Sequence, residues 1–171
     1  VVAASGTSGA GRRATANLLG SEVMGSISAY KIGGTHQHTP EIEQELQNYS
    51  EIPVAINFTP LLAPMPRGIL ATSSVKTVQS EAVLRECLDS AYKSEPFVSV
   101  LPAGQLPTTG ATLGSNSTLI QVAVDQRTGR ATIISAIDNL IKGASGQAIQ
   151  NANLMFGLPE TSGLTTIGIA P

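Results

Sequence analysis

Residues 118–124 and 130–137 alternate apolar and polar positions with a period of two, the pattern of strands buried on one face. Between them, Asp125-Gln126-Arg127-Thr128-Gly129 carries the turn formers of a hairpin. Shorter apolar runs predict strands at 1–4 and 97–101, and residues 25–32 are β-like. Two further extended segments, 54–62 and 68–78, flank Ala63-Pro64-Met65-Pro66-Arg67, whose two prolines exclude a helix and hold a stiff bend. Elsewhere the spacing turns helical. Ile42, Leu46 and Tyr49 recur on one face behind Thr39 as cap, with Pro40 at the first position and Glu41 and Glu43 in the first turn. Ser80 caps a second helix, whose Val83, Leu84, Cys87, Leu88, Ala91 and Tyr92 form one apolar face. Residues 12–19 have helical composition and stop at Gly20. A last helix runs from near Ser145 to Gly157, with Ile149, Ala152 and Phe156 as its packed face. Strands in hairpin order with helices between some of them predict an α+β domain on a mixed or antiparallel sheet.

Composition narrows the function classes. With 42% hydrophobic and 13% charged residues, the 171-residue chain has the makings of one compact domain and not of a disordered segment. A net charge of −2, no tryptophan and no basic stripe argue against nucleic acid as a partner. No apolar run is long enough for a transmembrane helix, so no membrane partner is expected. The single cysteine excludes an internal disulfide and suits a reducing, cytoplasmic setting. The chain opens on an apolar strand without an initiator methionine, which reads as a piece cut from a longer protein.

Candidate chemistry is concentrated in four places. The turn Gly6-Thr7-Ser8-Gly9-Ala10-Gly11-Arg12 offers backbone N–H groups, hydroxyls and a cation, the parts of an anion site or simply of a tight strand-to-helix turn. Both histidines lie in Gly33-Gly34-Thr35-His36-Gln37-His38-Thr39-Pro40, where an imidazole suits proton transfer. A metal is not expected there, because a third ligand is missing. Arg67, at the proline bend, could grip a carboxylate or phosphate, or stand as a solvated loop charge. The run 138–151 opens a helix with small residues and amides that would let a ligand approach the backbone. Cys87 is set aside as a nucleophile because its apolar helix face implies burial.

Six segments occur in the order found in one enzyme family. They are Ser5-Gly6-Thr7-Ser8-Gly9-Ala10-Gly11-Arg12, Gly34-Thr35-His36-Gln37-His38-Thr39-Pro40-Glu41-Ile42, Pro64-Met65-Pro66-Arg67-Gly68-Ile69, Glu95-Pro96-Phe97-Val98, Gly114-Ser115-Asn116, and the run 138–151 continuing to Asn153-Leu154-Met155-Phe156-Gly157-Leu158. In these the chain resembles the C-terminal half of N-acetyl-γ-glutamyl-phosphate reductases, relatives of aspartate-semialdehyde and glyceraldehyde-phosphate dehydrogenases. The resemblance implies the glyceraldehyde-phosphate dehydrogenase-like C-terminal fold, a mixed and largely antiparallel sheet with helices on one face. It implies a catalytic and dimerisation domain at 1–142, and at 143–171 a helix and tail that pack on a nucleotide-binding domain.

The implied reaction reduces N-acetylglutamyl phosphate with NADPH to the semialdehyde and phosphate, through a cysteine thiolate that first forms a thioester. By this resemblance His38 is the acid/base, with Tyr30 and His36 beside it at the substrate. Arg12 and Arg67 hold substrate anions, and Ser8 contacts both substrate and cofactor. Gly9, Gly143 and Gln147 line the nicotinamide end with Ser8. The family's Gly-Cys-Tyr-Pro nucleophile motif is not in this sequence, so the fragment alone is expected to be inactive and to bind no NADP(H). A homo-oligomer, dimer or tetramer, is implied. Two rivals are a serine hydrolase using Ser5 or Ser8 with a histidine, and a non-catalytic assembly module.

Overall fold

In a computed structural model that describes residues 1–169, seven strands form one sheet. In chain order they are β1 (Val2–Ser5), β2 (Ser28–Ala29), β3 (Thr59–Leu62), β4 (Ile69–Lys76), β5 (Val98–Val100), β6 (Thr118–Asp125) and β7 (Arg130–Ile137). Their spatial order is β2-β3-β1-β4-β7-β6-β5. Pairing is parallel for β1 with β3 and for β5 with β6, and antiparallel elsewhere. The expected α+β class and mixed, largely antiparallel sheet are therefore present. The hairpin forms as its alternation predicts, from Asp125 opposite Arg130 to Thr118 opposite Ile137.

The proline bend explains how β1 comes to lie between β3 and β4. Residues 63–68 arch over the end of β1, and its following turn hydrogen-bonds to the arch: Gly6, Thr7 and Ser8 donate to the carbonyls of Gly68, Met65 and Pro66. A Cβ on Gly6 would lie 2.8 Å from the Arg67 backbone, so only glycine permits this approach.

Among the described residues, five α-helices accompany the sheet: α1 (Gly20–Val23), α2 (Thr39–Gln47), α3 (Glu81–Tyr92), α4 (Thr109–Thr112) and α5 (Gly146–Met155). Ser80 Oγ accepts from the Val83 N–H as the cap of α3. Packed around β6 and β7, Phe97, Val122, Ala131 and Ala136 are almost fully buried. Gln121, also buried on β6, donates to the carbonyls of Pro102 and Gln105, and Arg85 of α3 donates to its oxygen.

Several expected elements differ. Residues 12–19 form no helix; a 3₁₀ turn at Ala16–Leu18 is split from α1 by an extended Leu19, and Gly20 starts a helix rather than ending one. Runs of three or four residues are too short to offset the cost of helix nucleation. Of residues 25–32 only Ser28 and Ala29 pair, because positive φ at Gly25 and Lys31 turns the chain away. His38, not Thr39, occupies the N-cap of α2 and makes no side-chain cap bond. On α3, Leu84, Leu88 and Tyr92 are half-buried, whereas Val83, Cys87 and Ala91 are exposed, so the apolar face is narrower than its sequence suggests.

The largest inversion is in α5. Phe156 is 79% and Ile149 44% exposed, while Gly146, Gln150 and Asn153 are buried. Gln150 Oε1 accepts from Asn116 Nδ2 at 2.8 Å and from Lys142 Nζ at 2.7 Å, and its amide donates to Glu160. Asn153 Nδ2 donates to the carbonyls of Glu160 and Ser162. Here hydrogen bonding decides which face turns inward, and the apolar row is left uncovered. The segment after α5 returns to the sheet, with Asn116 N donating to Thr165 O and Ser117 Oγ to Thr166 O.

Candidate functional site

Directly after β7 come Asp138 and Asn139, two buried polar residues around which much of the expected site is assembled. A buried carboxylate is costly unless its charge is answered. Asp138 Oδ1 accepts from the N–H groups of Leu140 (2.8 Å) and Ile141 (3.1 Å), and Oδ2 from Gly114 N–H at 2.7 Å. Arg67 Nη2 lies 3.0 Å from Oδ1 and 2.8 Å from Oδ2. Burial alone would raise the carboxyl pKa, but the three backbone donors and Arg67 outweigh it and hold Asp138 below the ordinary aspartate value. Asp138 thereby ties together the bend at 63–68, the turn after α4 and the start of a π-helical turn at Ile141–Ser145.

Asn139 continues the network. Its Oδ1 accepts from Gly68 N–H at 2.7 Å, and its Nδ2 donates to Ser8 Oγ at 3.0 Å. The position a Cβ would take on Gly9 is 3.8 Å from Asn139 Nδ2, and that on Gly143 is 3.9 Å from Asn139 Cβ. Three of the four residues expected to line a nicotinamide, Ser8, Gly9 and Gly143, thus gather around one amide. At both glycines the direction a Cβ would take points at neighbouring protein atoms, Ser5 Oγ for Gly9 and Ile137 for Gly143. Gln147 stands apart, exposed on α5 with no side-chain hydrogen bond among the described residues.

Most of the glycine turn's backbone N–H groups are spent within the fold. Gly6, Thr7, Ser8, Gly9 and Gly11 all donate their N–H groups to carbonyls within the turn or the proline bend. Side chains remain for an anion. Arg12 is exposed and lines a cleft of about 360 Å³ together with Ser8. Arg67 is likewise not a free charge, since Asp138 holds one edge of its guanidinium. Its Nε is buried with no partner.

The histidine loop forms a second cluster, made of rings. His36 meets Phe58 edge-on at 5.1 Å, His38 at 5.1 Å and Tyr30 at 5.7 Å between centroids. His38 N–H donates to His36 Nδ1 at 3.2 Å, which places the His36 proton on Nε2 in the neutral ring. Burial lowers the His36 pKa, His38 and Lys31 add to this, and Glu41 opposes them. Burial raises the Tyr30 phenol. The His38 ring is about half exposed, with Nε2 3.4 Å from Gln37 Nε2 and 3.9 Å from Glu41 Oε2. His36, expected beside the substrate, spends Nδ1 on holding the loop.

Among the described residues, no hydrogen bond or ring contact joins the histidines to Arg67 or to the glycine turn. Neither Ser5 nor Ser8 hydrogen-bonds an imidazole, so the hydrolase alternative lacks its first contact. Cys87 is exposed, against expectation. Its helix packs on β5 and β6, whereas the histidine loop adjoins Phe58 and β3. Four strand spacings, roughly 20 Å, separate those ends of the sheet. That separation, not burial, denies it to His38.

Asp138 and Asn139 lie in the 138–151 run singled out from sequence, but neither is given a role of its own there. The signal was available: a carboxylate and an amide directly end an apolar strand, where a buried polar group needs fixed partners. No three His, Cys, Asp or Glu side chains gather as a metal site would need, among the described residues. No helix among them is long and apolar enough to cross a membrane.

Residues 1–139 match the family of semialdehyde dehydrogenase dimerisation domains. All of the chain aligns with N-acetyl-gamma-glutamyl-phosphate reductases of Acidothermus cellulolyticus, at 58% identity, and Frankia casuarinae, at 61%. The chain spans about half the length of these curated relatives, 50% in both cases. A probable aspartate-semialdehyde dehydrogenase from Pseudomonas aeruginosa shares the fold, with TM-score 0.68 and 21% identity over 91% of this chain and 53% of that one. Aspartate semialdehyde dehydrogenase II from Vibrio cholerae matches with TM-score 0.67 and 16% identity over 91% and 54% of the two chains.

Proposed function

The chain belongs to the semialdehyde dehydrogenase dimerisation-domain family, and from that premise we propose that it is the substrate-facing, subunit-contacting half of an N-acetyl-γ-glutamyl-phosphate reductase. The observation that carries this is end-to-end identity of 58–61% with reductases of that name. In the whole enzyme a thiolate from the other half attacks the acyl phosphate, phosphate leaves, and hydride reduces the resulting thioester to the semialdehyde. His38, whose ring is about half exposed, exchanges the proton with the thiol and the reduced carbonyl oxygen. Arg67, oriented by Asp138, turns its remaining N–H edge to a substrate carboxylate.

The nicotinamide cofactor, NADPH, supplies the hydride when bound. Ser8, Gly9 and Gly143 around Asn139 would hold its ring. Gly9 and Gly143 are both exposed, which leaves them reachable from solvent. Gln147 would approach only from the exposed side of α5. The segment 143–171 would pack on the nucleotide-binding half through Ile149, Phe156 and Leu158, all exposed in this chain. A homodimer or higher oligomer suits the family's description as a dimerisation domain, and its proposed setting is the cytoplasm.

The test is kinetic. The chain alone should not reduce N-acetylglutamyl phosphate with NADPH, whereas the full-length reductase containing it should, and sedimentation should detect self-association. A full-length protein that ignores this substrate and reduces aspartyl phosphate would replace the assignment.

A further inference from the structure

His38 rides on a loop, residues 31–38, that is exposed at every position except half-buried His36. Positive φ at Lys31 (44°), Gly33 (70°) and Gly34 (77°) coils this loop away from β2. Lys31 is the only non-glycine residue with positive φ among the described residues. His38 makes no cap bond with its side chain, and Glu41 Oε2, at 3.9 Å, is too far to hydrogen-bond its ring. His36 supplies the missing anchor. Its ring packs against Tyr30, just past β2, and Phe58, just before β3. Phe58 is buried and Tyr30 N–H donates to Pro60 O at 3.2 Å, so both walls are tied to the sheet edge. From that seat His36 accepts twice: His38 N–H on Nδ1 at 3.2 Å, and Thr39 N–H on its carbonyl at 3.0 Å.

We propose that His36 acts through His38, as a positioning residue whose neutral ring, wedged between Tyr30 and Phe58, sets where the His38 imidazole stands. The kinetic consequence rests on the reductase assignment, in which His38 is the acid/base. The pin has a chemical condition. Nδ1 accepts only while unprotonated, since a proton there would face the His38 N–H donor to donor. The charged groups about the ring are His38 on its own loop, Lys31 after β2 and Glu41 on α2. On the sheet side Tyr30 is the titratable neighbour, and Phe58 brings no charge. Burial, His38 and Lys31 favour the neutral ring, and Glu41 opposes them. The pin is therefore closed at neutral pH and opens as pH falls through the lowered His36 value.

Steady-state kinetics of the full-length reductase, with two replacements at His36, tests this. Leucine offers no acceptor, whereas asparagine places Oδ1 two bonds beyond Cβ, where Nδ1 stands, and does not titrate. H36L should lower kcat by about 10- to 100-fold, the cost of misplacing a catalytic group by about an ångström, with KM for N-acetylglutamyl phosphate within about threefold. H36N should recover most of that loss, and the limiting acid slope of its kcat profile should fall by one proton relative to the unmodified enzyme. A raised KM with unchanged kcat in H36L would make His36 a substrate contact and overturn the proposal. An H36N variant no better than H36L, or an unaltered acid slope, would overturn it equally. NMR relaxation of the chain separates this from the reductase assignment. The His38 amide should keep an order parameter of about 0.85 in the unmodified chain and in H36N, and drop below about 0.6 in H36L. Equal values in all three would remove the pin whatever the enzyme's substrate. If the amide behaves as described while the full-length protein fails to reduce N-acetylglutamyl phosphate, the pin stands and the reductase assignment falls.

Discussion

Arg67 Nη2 meets Asp138 Oδ2 at 2.8 Å, across 71 residues of sequence, and the carboxylate it meets is completely buried. The two partners are unequal. Asp138 keeps three backbone donors if Arg67 is lost, whereas Arg67 keeps no other partner for its Nη2 if Asp138 is lost. Asp138→Asn should therefore cost about 3 kcal/mol, the low end for removing one member of a buried pair because Arg67 is partly exposed. Arg67→Met should cost less. Urea denaturation of both variants checks the order, and equal midpoints would refute it.

The same pair predicts an acid limb. The folded pKa of Asp138 lies below its unfolded value, so its stabilisation is complete above about pH 4 and is lost as pH falls through the lower folded value. Asp138→Asn should flatten the fall in melting temperature over that window. An unchanged acid limb would show that other carboxylates carry it.

His36 should titrate below the ordinary imidazole value of about 6.5, and the backbone amide of His38 should shift with it. Protonation puts a hydrogen on His36 Nδ1 and removes the acceptor for that amide. Because the folded pKa is lowered, this contribution is complete above about 6.5 and is lost as pH falls through the folded value. A two-dimensional NMR titration reads both signals, and a His38 amide indifferent to His36 would contradict the hydrogen bond.

His38→Asn in the full-length reductase should lower kcat by about 10²- to 10⁴-fold, the usual contribution of a positioned acid or base. Its ring is about half exposed, so the melting temperature of the chain should barely change. Near-normal kcat would remove His38 from the chemistry.

On α5 the usual order of hydrophobic and polar substitutions should be reversed. Gln150→Ala leaves Asn116, Lys142 and Glu160 short of a partner and should cost about 1–3 kcal/mol. Phe156→Ala, at a largely exposed position, should change the stability of the chain by less than about 0.5 kcal/mol. Thermal unfolding of the two variants decides it.

Local order was legible wherever one short-range rule dominated. Alternation placed β6 and β7 and their turn, Ser80 marked the start of α3, and two prolines marked the bend that carries Arg67. The same rules failed where two outcomes compete within a few residues. Of the expected 12–19 helix only a 3₁₀ turn at Ala16–Leu18 forms, cut off from α1 by extended Leu19, and the inward face of α5 is chosen by amides that find partners in Asn116 and Glu160, far away or beyond a turn.

By itself, then, the sequence determined the α+β class, the hairpin, the histidine loop and the set of residues able to carry chemistry, because periodicity and residue type act locally. Only the tertiary structure decided that Asn139 gathers Ser8, Gly9 and Gly143, and that Asp138 claims Arg67. Partners so far apart in the chain meet because strand order brings the end of β7 beside the arch over β1, and strand order is not written in any single segment.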